Sequence, residues 1–381
     1  MLKQQKIFFD FLRFCIGSAK EIPDSLKEAD WKNLYAIAQK QALLGVLFYG
    51  IRQLPKQLAP EQKLLMQWMA MAEMIRKQNI RLFQDSVKVC RNFENEGFAN
   101  CILKGQGNAL LYPDPYMRTP GDIDIYLSGG RRKIMKYVDQ VCPNQVMRYH
   151  HVDFPVMKTA IEVHFTPSYM FCPIHNRRMQ KWFEVVMGEQ CKHRVSLPDG
   201  YGKIHVPQVS FNVIYILSHL YRHIFTEGIG LRQLLDYYFV LVKWHTDLTN
   251  LTDSKKSLPQ MTQINTDLDA LRHELKYLGL WKFAQAVMFV MKEVFGLLED
   301  RMIAPMDEKE GRFLLDEIMR GGNFGQYDDR MGSKVGESKI HRYFRMNLRN
   351  LRFVKHCPKE ALSEPLFRTW FALWKKIYGI R

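Results

Sequence analysis

From residue 1 to 98 the apolar residues recur at helical spacing. Trp31, Leu34, Ala38, Ala42 and Leu43, followed by Leu47 and Ile51, predict short packed helices. Pro55 and Pro60 punctuate the next junction. Residues 61–96 then predict one or two long helices, with Leu65, Trp68, Met69, Ala72 and Ile75 on the apolar side and Gly97 as the stop. The period changes near Asn100. Cys101, Ile102 and Leu103 form a short apolar run ended by Lys104 and Gly105, which reads as a buried strand, and residues 106–112 allow one or two helical turns. Pro113, Pro115, Pro120 and Gly121 force a turning segment. Residues 122–127 (Asp-Ile-Asp-Ile-Tyr-Leu) alternate polar and apolar, as a half-buried strand does. Residues 131–142 read as a helix, and 150–154 and 160–165 as two more strands. From Ser210 the chain is helical again, most clearly over 211–225, 231–244 and 268–298. Polar residues 249–262 are expected to form a surface loop. This predicts an α+β protein in three parts: a helical region 1–98, a mixed-sheet core 99–208 and a helical region 209–381.

Composition narrows the class without choosing a function. The chain has 381 residues, 47% of them hydrophobic and 25% charged, which is ordinary globular material. Its formal net charge of +16 favours anionic partners: nucleoside triphosphates, nucleic acid or a membrane surface. The seven cysteines are scattered and contain no Cys-x-x-Cys pair, so a disulfide framework or a cysteine zinc site is not expected. Asp10 and Arg13 interrupt the first apolar run, and Lys292 and Glu293 interrupt the best membrane-span candidate, 283–298. Neither a signal peptide nor a membrane span is expected, and a cytoplasmic protein with reduced thiols fits. No obligate protein partner is inferred.

Three features in order carry candidate chemistry: Lys104-Gly105-Gln106-Gly107-Asn108, then Arg118 with Asp122 and Asp124, then Glu162. Residues two apart on a strand share a face, so Asp122 and Asp124 project together while Ile123 and Ile125 enter the core. Paired carboxylates call for a cation, and Mg²⁺ takes one or two carboxylates with phosphate oxygens and water. If the strand holding Glu162 lies beside them, three carboxylates converge and can hold two metals, or one metal and a base. Gly105 to Asn108, at a strand end before a helix, offer backbone N–H groups to phosphate. Lys104 and Arg118 can neutralise the remaining charge. Each feature alone also reads as a solvated pair, a turn or a surface carboxylate. Their order and strand contexts together read as a site.

The stretch Leu103-Lys104-Gly105, Leu111-Tyr112-Pro113, Arg118 and Gly121-Asp122-Ile123-Asp124-Ile125 resembles uncharacterised bacterial nucleotidyltransferases of the polymerase-beta superfamily. Ile161-Glu162-Val163-His164 is similar to that family's third-carboxylate strand. His219, His223, Leu231-Arg232, Leu234 and Asp236 resemble its downstream helical region. The likeness spans about residues 25 to 300. It implies a nucleotidyltransferase-type mixed sheet, triphosphate binding (ATP among the candidates) at Gly105 to Asn108, and metal binding by Asp122, Asp124 and Glu162, with Mg²⁺ or Mn²⁺ as cofactor. Two features depart from the superfamily signature: Gly105 is followed by Gln106, and sixteen residues separate Gly105 from Asp122.

Lesser candidates remain open. His219 and His223 are one helical turn apart and read as a packed pair, with His223 or Arg232 as candidates for substrate contact. His164 shares the face of Glu162 and is a candidate to orient a carboxylate or contact substrate, or else simply packs. Residues 331–381 carry twelve Lys or Arg against three Glu, with Tyr343, Phe344, Phe353, Phe367, Trp370 and Trp374 interleaved. That stretch reads as an RNA-stacking surface or as an amphipathic bundle using Leu348, Leu351, Leu366, Trp370 and Leu373. The expected function is metal-dependent transfer of a nucleoside monophosphate to a hydroxyl acceptor. Superfamily relatives among bacterial toxins modify tRNA, so RNA is a candidate acceptor by analogy. The alternative is a non-catalytic nucleotide- or RNA-binding protein that retains the fold.

Overall fold

A computed structural model describes residues 3–254, 260–330 and 338–378. The N-terminal helices are α1 (Lys3–Cys15), α2 (Trp31–Lys40), α3 (Leu44–Ile51) and α4 (Gln62–Asn95). Asp30 starts α2 by accepting hydrogen bonds from the backbone N–H of Lys32 and Asn33. Helix α4 is one unbroken element of 34 residues. It serves two cores: Leu64, Trp68 and Ile75 join the helical cluster, and Leu82, Phe83, Cys90 and Phe93 cover the sheet.

The middle of the chain supplies β1 (Asn100–Ile102), α5 (Gln106–Ala109), β2 (Ile123–Leu127), α6 (Gly130–Val141), β3 (His151–Asp153), β4 (Ile161–His164), α7 (Pro173–Gln190), β5 (Arg194–Ser196) and β6 (Lys203–His205). The main sheet has the order β1-β2-β4-β3. Strands β2 and β4 are parallel, and the other two pairs are antiparallel. This is a mixed sheet, so the expected α+β class holds. Alternation along β2 and β4 sends Ile123, Ile125, Leu127, Ile161 and Val163 into the apolar cluster with Ile134 and Val138 of α6. Asp124 and Glu162 are left on the other face. The parallel register sets Asp124 against Glu162 and Tyr126 against His164.

The C-terminal helices are α8 (Val209–Thr226), α9 (Leu231–Ser254), α10 (Gln260–Tyr277), α11 (Trp281–Phe295), α12 (Glu308–Gly321), α13 (Lys339–Leu351) and α14 (Pro358–Ile377). All of them except α13 contribute to one hydrophobic core with α1, α2 and α3. The expected loop at 249–262 is instead helical over 249–254 and 260–262, and residues 255–259 lie outside the described residues. At its start polarity is compatible with helix because Thr249 and the polar residues just before it bond locally. Thr246 Oγ1 donates to Val242 O at 2.9 Å and Thr249 Oγ1 to Thr246 O at 2.8 Å, while Lys243 pairs with Asp247 one turn on. Of the 283–298 segment, residues 283–295 fall in the largely buried α11, and no helix among the described residues is long and apolar enough to cross a membrane.

Of the basic aromatic tail, residues 331–337 and 379–381 lie outside the described residues. Much of the rest is tied down. Arg352 pairs with Glu317, and Arg349 donates to the carbonyls of Ile224 and Thr226. Phe353 is buried, and Phe367 packs on Tyr149 and Tyr169. Leu348, Leu366, Trp370 and Leu373 remain exposed.

Candidate active site

The site is assembled over the two central strands of the sheet, β2 and β4. Leu103 N donates to Asp124 O at 2.9 Å, which carries the chain leaving β1 over β2 and brings Lys104 to Asp124. Lys104 Nζ stands 3.0 Å from Asp124 Oδ2. His164 Nε2 stands 3.0 Å from Asp124 Oδ1 and 3.5 Å from Glu162 Oε2. Glu162 Oε2 is also 3.3 Å from His151 Nδ1. The two strands are thus neighbours, and Asp124 and Glu162 are joined through one imidazole. Asp122 precedes β2, is half-buried, and lines the same cleft as Lys104, Gly105 and Asp124. Among the described residues Asp122 has no ion-pair partner within 4 Å.

The electrostatics differ from one carboxylate to the next. Burial pushes the Asp124 carboxyl up, but Lys104 and His164 together outweigh burial and hold it well below the usual carboxylate range. For Glu162 burial also acts upward, and the hydrogen bond from His164 reverses it. Asp122 goes the other way: the charge of Asp124, then burial, raise it to about 6. Burial pulls the His164 imidazole down, yet its two carboxylate partners raise it above its ordinary value. Burial and the neighbouring His164 bring His151 down to about 3.

The glycine segment is split between cleft and core. Gly105 adopts φ +60°, open to glycine, and lines the cleft together with Asn108. Helix α5 is a single turn of four residues. Gln106 is buried and donates to Asn79 Oδ1 at 3.2 Å. Gly107 packs against Val206, where a Cβ would come within 2.9 Å of the valine side chain. Gln106 and Gly107 therefore face packing, while Lys104, Gly105 and Asn108 line the cleft. The glycine is needed at 107 for close approach to β6, a demand that looks identical in sequence to phosphate binding.

Arg118 is held rather than free. Its Nε and Nη2 reach the Asp236 carboxylate at 2.8 and 2.7 Å, and Tyr112 Oη donates to the same group at 2.6 Å. Only Nη1 is left without a protein partner. Arg232 Nη1 donates to Thr119 O at 3.1 Å, and its Nε is unpartnered. Asn108 Nδ2 and Gln233 Nε2 are likewise buried and unpartnered, and all four residues line the cleft. A set of unmet buried donors beside three carboxylates suits a ligand that brings both anionic oxygens and a cation.

His223 does not line the cleft. It belongs to a relay in which Lys104 Nζ meets His219 Nε2 at 3.1 Å, and Arg222 reaches His219 at 3.4 Å and His223 at 2.9 Å. Glu227 closes the relay 3.2 Å from His223. Burial and Arg222 bring His223 down to about 4. Sequence reasoning passed over Arg222, which stacks over Tyr169, and the doublet His150 and His151. The available signal for the doublet was its place at the start of a strand.

The residues present fit a hard divalent ion. Asp124, Glu162 and His164 each offer a donor atom within 4.8 Å of the other two, and Asp122 flanks that group without belonging to it. Three carboxylates face one ammonium, which leaves negative charge uncompensated. Lys104 already stands where a cation is drawn.

Against known proteins, the family described as uncharacterised nucleotidyltransferase matches residues 27–259. No curated protein and no solved structure matches the chain.

Proposed function

Because this chain belongs to the uncharacterised nucleotidyltransferase family, we propose that it moves a nucleoside monophosphate from a triphosphate to a hydroxyl acceptor, breaking the bond to the β-phosphate and releasing pyrophosphate, with Asp122, Asp124 and Glu162 as its metal-binding carboxylates. The observation that carries this reading is the parallel register of β2 and β4, which pairs Asp124 with Glu162 above a cleft that also holds Asp122 and Lys104. A bound Mg²⁺ or Mn²⁺ would supply charge neutralisation at the transferring phosphorus. The chain's own residues do the rest. Asp122 and Asp124 would hold the ion, and Glu162 would hold a second ion or accept the hydroxyl proton of the acceptor. His164 fixes Asp124 and Glu162 relative to each other. Lys104 exchanges its carboxylate partner for a phosphate oxygen. Asn108, Gly105 and the remaining donors of Arg118 and Arg232 bind triphosphate oxygens. Candidate acceptors are a small molecule, a protein or RNA, tRNA included; among the described residues, Lys355 between α13 and α14 and Lys359 and Lys376 of α14 are exposed cations open to an RNA.

One observation favours a second reading. The Lys104–Asp124 ion pair occupies the carboxylate that transfer needs, as a non-catalytic nucleotide- or RNA-binding protein would tolerate. Incubation with each radiolabelled triphosphate, Mg²⁺ or Mn²⁺ and cell extract separates the two. Metal-dependent labelling by the wild-type chain, lost in Asp124→Asn, supports the enzyme. Triphosphate binding that ignores both metal and Asp124 overturns it.

A further inference from the structure

Beside the carboxylates lies a nitrogen-rich cluster that the proposed transfer leaves largely unused. One ring nitrogen each from His150, His151 and His164 lies within 4.8 Å of the other two. His150 Nε2 and His151 Nδ1 are 3.3 Å apart, and the three ring centroids form a triangle with sides of 4.4, 5.1 and 5.1 Å. Two nitrogens bound at about 2.0–2.1 Å to one tetrahedral ion stand roughly 3.3–3.4 Å apart. Glu162 places an oxygen 3.3 Å from His151 Nδ1 and 3.5 Å from His164 Nε2. The backbone sets this arrangement: β3 and β4 pair His151 with His164, and Phe165 N donates to His150 O at 3.0 Å. His150 and His164 are 4% and 1% exposed, and Nδ1 of each is buried without a partner.

We infer that His150, His151 and His164, with Glu162 as oxygen donor, form a binding site for a nitrogen-seeking transition ion of the Zn²⁺ class. Imidazoles with one carboxylate are the donors such ions take with an open fourth or fifth position, whereas Mg²⁺ selects oxygen. The site shares Glu162 and His164 with the proposed catalytic centre but does not depend on that centre being catalytic. The competing account is a histidine trio held by hydrogen bonds alone.

The test uses the full chain, stripped by chelation and titrated with ZnCl₂ by calorimetry and with Co²⁺ by visible absorption. One equivalent is expected to bind, and Co²⁺ is expected to give the intense spectrum of a four- or five-coordinate nitrogen–oxygen site. His150→Gln and His151→Asn should each weaken Zn²⁺ binding at least about tenfold, while Asp122→Asn leaves it within about twofold. Absence of binding, histidine variants that bind like wild type, or equal weakening by Asp122→Asn overturns the site. Should a histidine variant fail to fold, ring resonances of the wild-type chain decide: those of His150, His151 and His164 must shift on zinc addition, and unshifted rings overturn the assignment. Magnesium-dependent transfer is measured on the same zinc-free protein. Transfer without zinc binding sinks this inference alone, and zinc binding without transfer sinks the functional reading alone.

Discussion

Asp236 and Asp124 are buried to similar depth, and their surroundings could hardly differ more. Asp236 receives a two-pronged guanidinium from Arg118 and a hydroxyl from Tyr112, so each acceptor oxygen has a neutral or cationic donor and the pair closes on itself. Glu360, equally buried, is closed in the same way: Phe171 N, Cys172 N and His175 donate to it at 2.6, 3.1 and 2.9 Å. Asp124 has a lysine and a histidine, but stands beside two further carboxylates that the same cations must serve. A carboxylate whose partners exist for it alone holds the fold together. A crowded one, with too few cations nearby, stores electrostatic tension that a ligand can release.

Substitutions should separate the two kinds. The largest effect on chemistry is expected from Asp124→Asn: transfer falls by about 10²–10³-fold or more, the scale of losing one preorganised charged group, while circular dichroism shows the helical content kept. Asp236→Asn should do the reverse. It strands the buried Arg118 guanidinium and costs about 3–5 kcal/mol of stability, read as a lowered urea midpoint, with activity per folded molecule changed less. Glu360→Gln keeps the shape and leaves one or two donors unmet, for about 1–3 kcal/mol. If Asp236→Asn removed activity without loss of stability, or Asp124→Asn unfolded the chain, the distinction would collapse.

The strands and the carboxylates were legible because they obey a two-residue period: Ile123 and Ile125 are in the core and Asp124 is on the opposite face, as alternation demands. The long helix and the α+β class were legible for the same periodic reason. What stayed hidden did so where one residue type serves two ends or where the partner is distant in the chain. Gly107 allows close packing on Val206, a role indistinguishable in sequence from closeness to phosphate. Arg118 was legible as a charge partner for phosphate, but its pairing with Asp236 was not, because the two lie 118 residues apart in the chain. The histidine cluster depends on β3 pairing with β4, a tertiary fact that no local pattern around His150 announces. The threonines of α9 satisfied themselves inside a helix where polarity alone suggested a loop.

The comparison sharpens most quietly in pH. Burial raises the Asp236 carboxyl, and Arg118 more than reverses this, so Asp236 ionises more readily in the folded chain than in the unfolded one. Its contribution to stability is present above the ordinary carboxylate pKa and is lost as pH falls through the lower folded value. Asp122 carries the opposite sign. Its unfolded value is near the ordinary carboxylate value of about 4, and its folded value is about 6. Between these the folded chain binds the proton that the unfolded chain has released, so Asp122 makes the metal-free protein less stable as pH rises from about 4 to about 6. Urea midpoints across that window should therefore show a downward component that Asp122→Asn removes and Asp236→Asn does not. Saturating Mg²⁺ needs the ionised carboxylate, so its stabilising increment should grow through the same window in the wild-type chain and grow less in Asp122→Asn. A magnesium increment that is flat with pH would place Asp122 among the closed carboxylates and remove it from the metal set.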